Sequence, residues 1–186
     1  LCISKFVVLL KRQSEMSNNE LLNMKRKALM LGLCGEYKKK WDSCASKKEL
    51  VDLVLDSNGV EFLADAITFG WGCSQGFLLK EFADFINGKY QRKKDGYTSE
   101  LYVEPHGKIE LRSTLTVIAG GRASVIVPPN FFGRIYVCGD GGSLIFGSNG
   151  GSIELFVYGE NERAVTKCAT SLKVKRKDIK ESQWRK

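Results

Sequence analysis

The chain has 186 residues, which is enough for one domain or two small domains with real apolar cores. Hydrophobic residues make up 43% of it and charged residues 27%, a balance typical of a soluble globular protein. The net charge of +8 is uneven, because residues 171–186 contain seven Lys or Arg and two Asp or Glu. Such an end could contact nucleic acid, a membrane surface or an acidic partner, and a solubilising role is favoured.

Residues 1–15 are interpreted as an extension ahead of Met16, which looks like a natural start, and an added strand is the second interpretation. The apolar run Phe6–Leu10 is far shorter than the roughly 20 residues that cross a bilayer. It is also short for the apolar part of a secretory leader. We therefore expect no membrane span and no secretion signal here.

Residues 16–90 are expected to form a helical domain, because apolar residues recur there at helical spacing between helix-starting and helix-ending residues. The predicted helices follow Ser17, span Tyr37–Trp41, follow the capping box Ser46–Glu49, span Val60–Phe69 and follow the cap Ser74. We expect at least four helices before Lys89. The polar, basic residues 91–100 then predict a linker.

Residues 101–175 hold short β-prone runs separated by Gly, Asn, Pro or polar residues. The runs repeat, since Leu115 and Ile135 are 20 residues apart and Ile135 and Ile153 are 18 apart. A repeat of this length with two strands in each unit is typical of a β-solenoid coil. The predicted fold class is therefore α+β, a helical domain followed by a short β-solenoid and a basic tail at 176–186. An antiparallel β-sandwich is the alternative, because evenly spaced short strands suggest it as well.

Alternation along the strands places one set of apolar side chains inside the solenoid. The predicted inward residues are Leu115, Val117, Val125, Val127, Ile135, Val137, Ile153 and Leu155. No helix of ten residues or more is expected between Gly107 and Thr170.

Several phrases in the helical part resemble a known group of sequences. They are Leu-Gly-Leu-Cys-Gly-Glu-Tyr-Lys, Lys-Lys-Glu-Leu-Val-Asp-Leu, Glu-Phe-Leu-Ala-Asp, Phe-Gly-Trp-Gly and Ile-Asn-Gly-Lys-Tyr. They are similar to small uncharacterised proteins of bacteriophages and mobile elements of gut Bacteroidales, over about residues 16–170. The resemblance implies a helical part followed by a repetitive β part, a phage or prophage gene, and a product in the host cytoplasm or the virion. It carries over no catalytic residue.

The sequence contains none of the usual catalytic or phosphate-binding signatures. The six cysteines lack zinc-type spacing and His106 is the single histidine, so no catalytic residue, metal site or cofactor is predicted. The cysteines are instead expected to be unpaired thiols. A carbohydrate-active β-helix protein stays a minor alternative. The acidic residues that it could use are Glu110, Asp140, Glu154, Glu160 and Glu162.

The aromatic residues predict a contact surface. Tyr136 and Phe156 each lie between two residues predicted to point inward, so both rings are predicted to point outward. They are 20 residues apart, one coil, and can stack. With Phe131 and Phe132 they form a candidate interface for a protein partner or a closed homo-oligomer, with a trimer slightly favoured over a dimer. Cover beneath a loop or the helical part is an equally weighted alternative.

These patterns favour a non-enzymatic structural or binding protein of a bacteriophage or mobile element. The alternative from another class is a nucleic-acid-associated accessory protein, because basic residues can neutralise phosphates. Its candidate contacts are Lys38, Lys39, Lys40, Arg92, Lys93, Lys94, Lys175, Arg176 and Lys177.

Overall fold

The computed structural model describes residues 35–70, 73–140, 142–158, 165–168 and 171–179. The described helices are α1 Gly35–Ser43, α2 Lys47–Val54, α3 Gly59–Thr68 and α4 Gln75–Glu81. The described strands are β1 Arg92–Lys94, β2 Tyr97–Val103, β3 His106–Glu110, β4 Leu115–Ala119, β5 Arg122–Val127, β6 Phe132–Cys138, β7 Ser143–Ser148, β8 Ser152–Tyr158, β9 Val165–Cys168 and β10 Lys173–Ile179. The predicted division into helices before Lys89 and strands after it is confirmed, and the helix predicted after Ser17 lies outside the described residues.

Two of the helices begin at the side-chain caps that the sequence indicates. The Ser46 hydroxyl accepts a hydrogen bond from the Glu49 backbone N–H at 3.2 Å. The Ser74 hydroxyl accepts in the same way from Phe77 at 3.1 Å. Each cap satisfies a backbone N–H that has no partner within the helix, so these helix starts are encoded locally.

The strands form a short β-solenoid, as predicted. One sheet has six strands in the order β1-β2-β4-β6-β8-β10, and the other has four in the order β3-β5-β7-β9. Every pair is parallel except the β1–β2 hairpin, so the antiparallel sandwich is excluded. Register partners are 16 residues apart between β2 and β4, and 19, 20 and 21 apart in the coils that follow. The coil therefore lengthens along the chain.

The space between the two sheets is filled by apolar side chains, including six of the eight that were predicted to point inward. These six are Val125, Val127, Ile135, Val137, Ile153 and Leu155. The prediction is wrong for Leu115 and Val117, which lie on the opposite face beneath the helices. Leu115 pairs with Arg134 and not with its neighbour Ile135. A shift of one residue in register moves a strand's side chains to the other face.

The helices pack on the outer face of the six-stranded sheet, and both parts share one apolar cluster. Helix α3 lies across β4, β6 and β8, and α4 contacts β2. From α4, the Gln75 side chain reaches two corners of the solenoid. Its Oε1 accepts from the Asp140 N–H at 2.7 Å, and its Nε2 lies 2.3 Å from where a Cβ on Gly120 would stand. Glycine at this corner, with φ of +63°, therefore lets Gln75 fasten the helices to the solenoid.

Residues 91–100, predicted as a linker, contain β1 and the start of β2. The turn between them is Asp95-Gly96, with φ of 57° and 78°. Two positive φ values fit a type I′ hairpin turn, for which Asp-Gly is a favoured pair. The six-stranded sheet thus begins inside this segment. At the other end β10 runs to Ile179 and extends the sheet into the residues predicted as a tail.

Replacing Leu155 with Ala should lower the free energy of unfolding by about 2–5 kcal/mol, because its fully buried side chain fills the space between the sheets. Urea denaturation of both proteins measures the difference. Ile145→Ala is the control, since Ile145 is exposed on the outer face of the four-stranded sheet and should cost under about 1 kcal/mol. Equal losses for the two variants would contradict the assignment of the core.

Candidate functional site

The predicted aromatic ladder exists, but the helices cover it. Tyr136 and Phe156 are register partners on β6 and β8, with ring centroids 4.9 Å apart and planes 11° from parallel. Tyr136 is 0% exposed and Phe156 6%. The interpretation of these rings as a free interface is therefore wrong. Helix α3 of the same chain packs on this face and covers both rings, so they are not available to a partner. The oligomer predicted through these two rings loses its contact surface.

The other two predicted interface residues have different surroundings. Phe132 is 73% exposed at the start of β6, while its neighbour Phe131 packs partly buried against the interior of the solenoid. Glycine at position 133 makes room for the Phe131 ring, since a Cβ there would come within 2.8 Å of it. The Phe131 ring therefore packs toward the interior of the solenoid, while the Phe132 ring is exposed at the surface of this corner.

An open groove of about 330 Å³ lies on the outer face of the six-stranded sheet, where the strands begin and the helices do not reach. We call its main lining residues the strand-start strip, and they are Tyr97, Phe132, Arg134, Ser152, Glu154 and Lys175. The Tyr97 ring is 45% exposed. The strip is the part of this face that combines exposed aromatic rings with charged and hydroxyl side chains.

Register sets the order of groups in the strip. Arg134, Glu154 and Lys175 are partners on three neighbouring strands, which gives a row of alternating charge. Within it the Arg134 Nε lies 3.3 Å from the Glu154 Oε2. Lys175 is exposed and has no ion-pair partner in the part of the chain that the structure describes. The three side chains of the row carry a net charge of +1, and among the described residues only Arg134 and Glu154 of the row form an ion pair.

Ser152 lies in a second row, between Phe132 on β6 and Lys173 on β10. Its hydroxyl donates to the Lys173 carbonyl at 3.4 Å, a long bond that leaves the oxygen lone pairs open. Ser99 on β2 and Arg134 on β6 both pair with Leu115 on β4, so these three residues lie in one row across the sheet. Tyr97 lies two residues before Ser99, and Phe132 lies two residues before Arg134. The two rings therefore share a row two strands apart, which is about 10 Å.

The basic residues predicted to contact nucleic acid do not form one surface. On α1, Lys38 pairs with Asp42 at 3.2 Å and Lys40 with Glu36 at 2.8 Å, so both charges are partly compensated within the helix. The exposed Lys93 and Lys94 lie on β1 and Lys175 lies on β10. Strands β1 and β10 are the two edges of the described six-stranded sheet, about 24 Å apart. Lys39 is exposed on α1, and the side chains of Arg176 and Lys177 lie outside what the structure describes.

Arg92 is a buried structural residue, so its assignment as a nucleic-acid contact is wrong. Its Nε donates to the Asp52 carbonyl at 2.8 Å, and its guanidinium pairs with Asp95 at 2.9 Å. These bonds tie the β1–β2 hairpin to α2. A buried guanidinium with fixed partners cannot turn toward a phosphate without breaking them.

The buried carboxylate of Glu100, which the sequence analysis missed, closes the first coil. Glu100 accepts hydrogen bonds from the Arg112 Nε at 2.7 Å and the Ser113 hydroxyl at 2.9 Å. Arg112 also donates to the Gly88 carbonyl at 2.7 Å, which links the coil to the end of the helical part. With its partners this close, Glu100 acts as a structural ion pair. The signal in the sequence is a charged residue inside an apolar strand.

In the described part of the chain, the thiol pKa of Cys44, Cys73 and Cys138 is raised and not lowered. Cys73 and Cys138 are buried and unpaired. Burial raises the pKa of the Cys73 thiol to about 12 and raises that of Cys138 as well. Cys44 is half-buried and unpaired. Its partial burial raises its pKa, and the nearby negative charges of Glu49 and Asp52 raise it further. Cys2, Cys34 and the Cys168 side chain lie outside the described residues.

Comparisons of the chain with protein-family models, with curated proteins and with solved structures find no match. Within the described ranges, no helix is long and apolar enough to cross a membrane. The same residues contain no group of three His, Cys, Asp or Glu that could hold a metal ion. Glu160 and Glu162, considered above as acidic candidates, lie outside these ranges.

Native protein treated with iodoacetamide at pH 8 should be labelled at Cys44 well before Cys73 and Cys138. The thiolate is the nucleophile. Burial shields Cys73 and Cys138 from the reagent and raises both of their pKa values, whereas Cys44 is only half-buried. Peptide mass mapping over time measures the order. In urea without reductant all six cysteines should react, and fewer labels would reveal a disulfide.

Proposed function

We propose that the protein is a non-enzymatic structural or binding protein of a bacteriophage or mobile element, and that it contacts its ligand through the strand-start strip. The observation that carries the proposal is the exposure of Phe132 and Tyr97 beside the charged row of Arg134, Glu154 and Lys175. Elsewhere on this face the large apolar rings are covered by helices. Exposed rings next to charged groups are typical of binding surfaces.

A binding role is favoured over catalysis by the composition of the strip. It holds one carboxylate, Glu154, which is paired with Arg134 at 3.3 Å. Hydrolysis of a glycosidic bond ordinarily uses two carboxyl groups on either side of the bond. The arrangement supports recognition of a ligand and supplies no acid–base pair.

The solenoid is suited to present such a surface. Its strands from β2 onward are joined to their neighbours by parallel pairing, and Gln75 and Arg92 tie the helices to it. Side chains on paired strands hold fixed spacings, which lowers the entropy lost when a ligand binds. A rigid contact surface is also what a structural component requires.

Arrays of saccharides, peptides and single-stranded nucleic acids should identify at least one class that the wild type binds. Phe132→Ala should weaken that binding about tenfold or more, because it removes the most exposed ring of the strip. Ile145→Ala, which removes an exposed apolar side chain from the other sheet, should leave affinity unchanged. Binding that survives Phe132→Ala, or turnover of any arrayed saccharide, would sink the proposal.

The proposed origin has its own test. We expect the genes on either side of this one to encode phage or mobile-element proteins, as the resemblance over about residues 16–170 suggests. Sequencing of the flanking DNA decides the point. A neighbourhood of housekeeping genes on both sides would remove the assignment to a phage and leave the binding surface as it stands.

A further inference from the structure

We infer that the ligand of the strand-start strip is an acidic saccharide, one that carries a uronic-acid or sialic-acid carboxylate. This inference rests on the proposed binding function and names the chemical class of the ligand. Three features of the strip support it: two exposed rings, an exposed cation without a partner among the described residues, and a carboxylate that lies between two cations.

The rings match the apolar face of a sugar. Phe132 and Tyr97 are 73% and 45% exposed and share a row about 10 Å apart. A pyranose presents a patch of C–H groups on one face and hydroxyl groups around its edge. An exposed ring that packs against such a patch loses unfavourable contact with water while the hydroxyl groups stay free to hydrogen-bond.

The charged row matches the polar edge of an acidic sugar. Lys175 has no described ion-pair partner, and Arg134 keeps N–H donors beyond the Nε that faces Glu154. Both can donate charge-assisted hydrogen bonds to a carboxylate. Glu154 can only accept, so it suits the hydroxyl groups of a sugar. Ser152 adds a hydroxyl in the next row.

The same row disfavours a nucleic acid, whose bases could otherwise stack on the rings. Glu154 lies between Arg134 and Lys175 and interrupts the row of cations. A phosphate chain also needs a track of cations. The exposed lysines of β1 lie at the opposite edge of the sheet, about 24 Å from β10. One isolated carboxylate fits the strip better than a run of phosphates.

The test uses probes that differ only in charge. Isothermal titration calorimetry should be run with 3′-sialyllactose and with an oligogalacturonate, each compared with its own carboxyl methyl ester. The wild type should bind at least one acidic probe about tenfold more tightly than its neutral counterpart, as expected for one charge-assisted hydrogen bond. Phe132→Ala should weaken binding of that acidic probe.

Lys175→Gln should abolish most of the preference for the acid. Its matched control is Lys108→Gln, which removes the charge of an exposed lysine from the outer face of the four-stranded sheet and should have no effect. Both are surface changes, so unchanged thermal unfolding of each variant confirms that binding alone is being compared.

The outcomes separate this inference from the proposed function. Equal affinity for acidic and neutral probes, or equal effects of Lys175→Gln and Lys108→Gln, would overturn the acidic class. Absence of binding to both acidic probes at about 1 mM would overturn it too. If the strip then binds a peptide or a nucleic acid in a way that Phe132→Ala disrupts, the binding function stands. If Phe132→Ala alters no binding to any class, both fail.

Discussion

Parallel pairing between successive coils determines which side chain of each strand faces which layer. In β6 this pairing turns Ile135 and Val137 toward the other sheet and turns Phe132, Arg134 and Tyr136 outward. The partner strand β8 repeats the order, with Phe156 against Tyr136 and Glu154 against Arg134. Because each residue's backbone bonds depend on this register, a slip of one position would bury the charges and expose the core. The core, the aromatic stack and the strip therefore depend on one alignment.

The helices divide the outward face into two parts. Where α3 lies across β4, β6 and β8, the outward residues are apolar or aromatic, as with Val117, Tyr136 and Phe156. Burial there raises the pKa of the Tyr136 hydroxyl to about 12. Where the helices do not reach, the outward residues of the same strands are Phe132, Arg134 and Glu154. The outward side chains are therefore apolar or aromatic beneath α3 and charged beyond it. The exposed ring of Phe132 is the exception, and we interpret it as part of a contact surface.

Polar groups at the borders hold this division in place. Gln75 bonds to the corner at Asp140, Arg92 joins the hairpin to α2, and Glu100 with Arg112 closes the first coil. Gln75, Arg92 and Glu100 are buried or half-buried groups with hydrogen-bond partners, and loss of a partner would leave a buried polar group less well satisfied. Such bonds fix where the helices lie.

The sequence by itself determined the order of helices and strands, the caps at Ser46 and Ser74, and the repeat of about 19 residues, because these signals lie in a few neighbouring residues or in their periodicity. It also placed Phe132 among the candidate contact residues. Only the tertiary structure decided that Tyr136 and Phe156 are covered, that Arg92 is buried, and that Leu115 faces the helices. Strand β4 is buried on both faces and has apolar residues on each, so alternation cannot show which face is inner. The packing of distant elements decides it, as it decided that Arg134, Glu154 and Lys175 form one row.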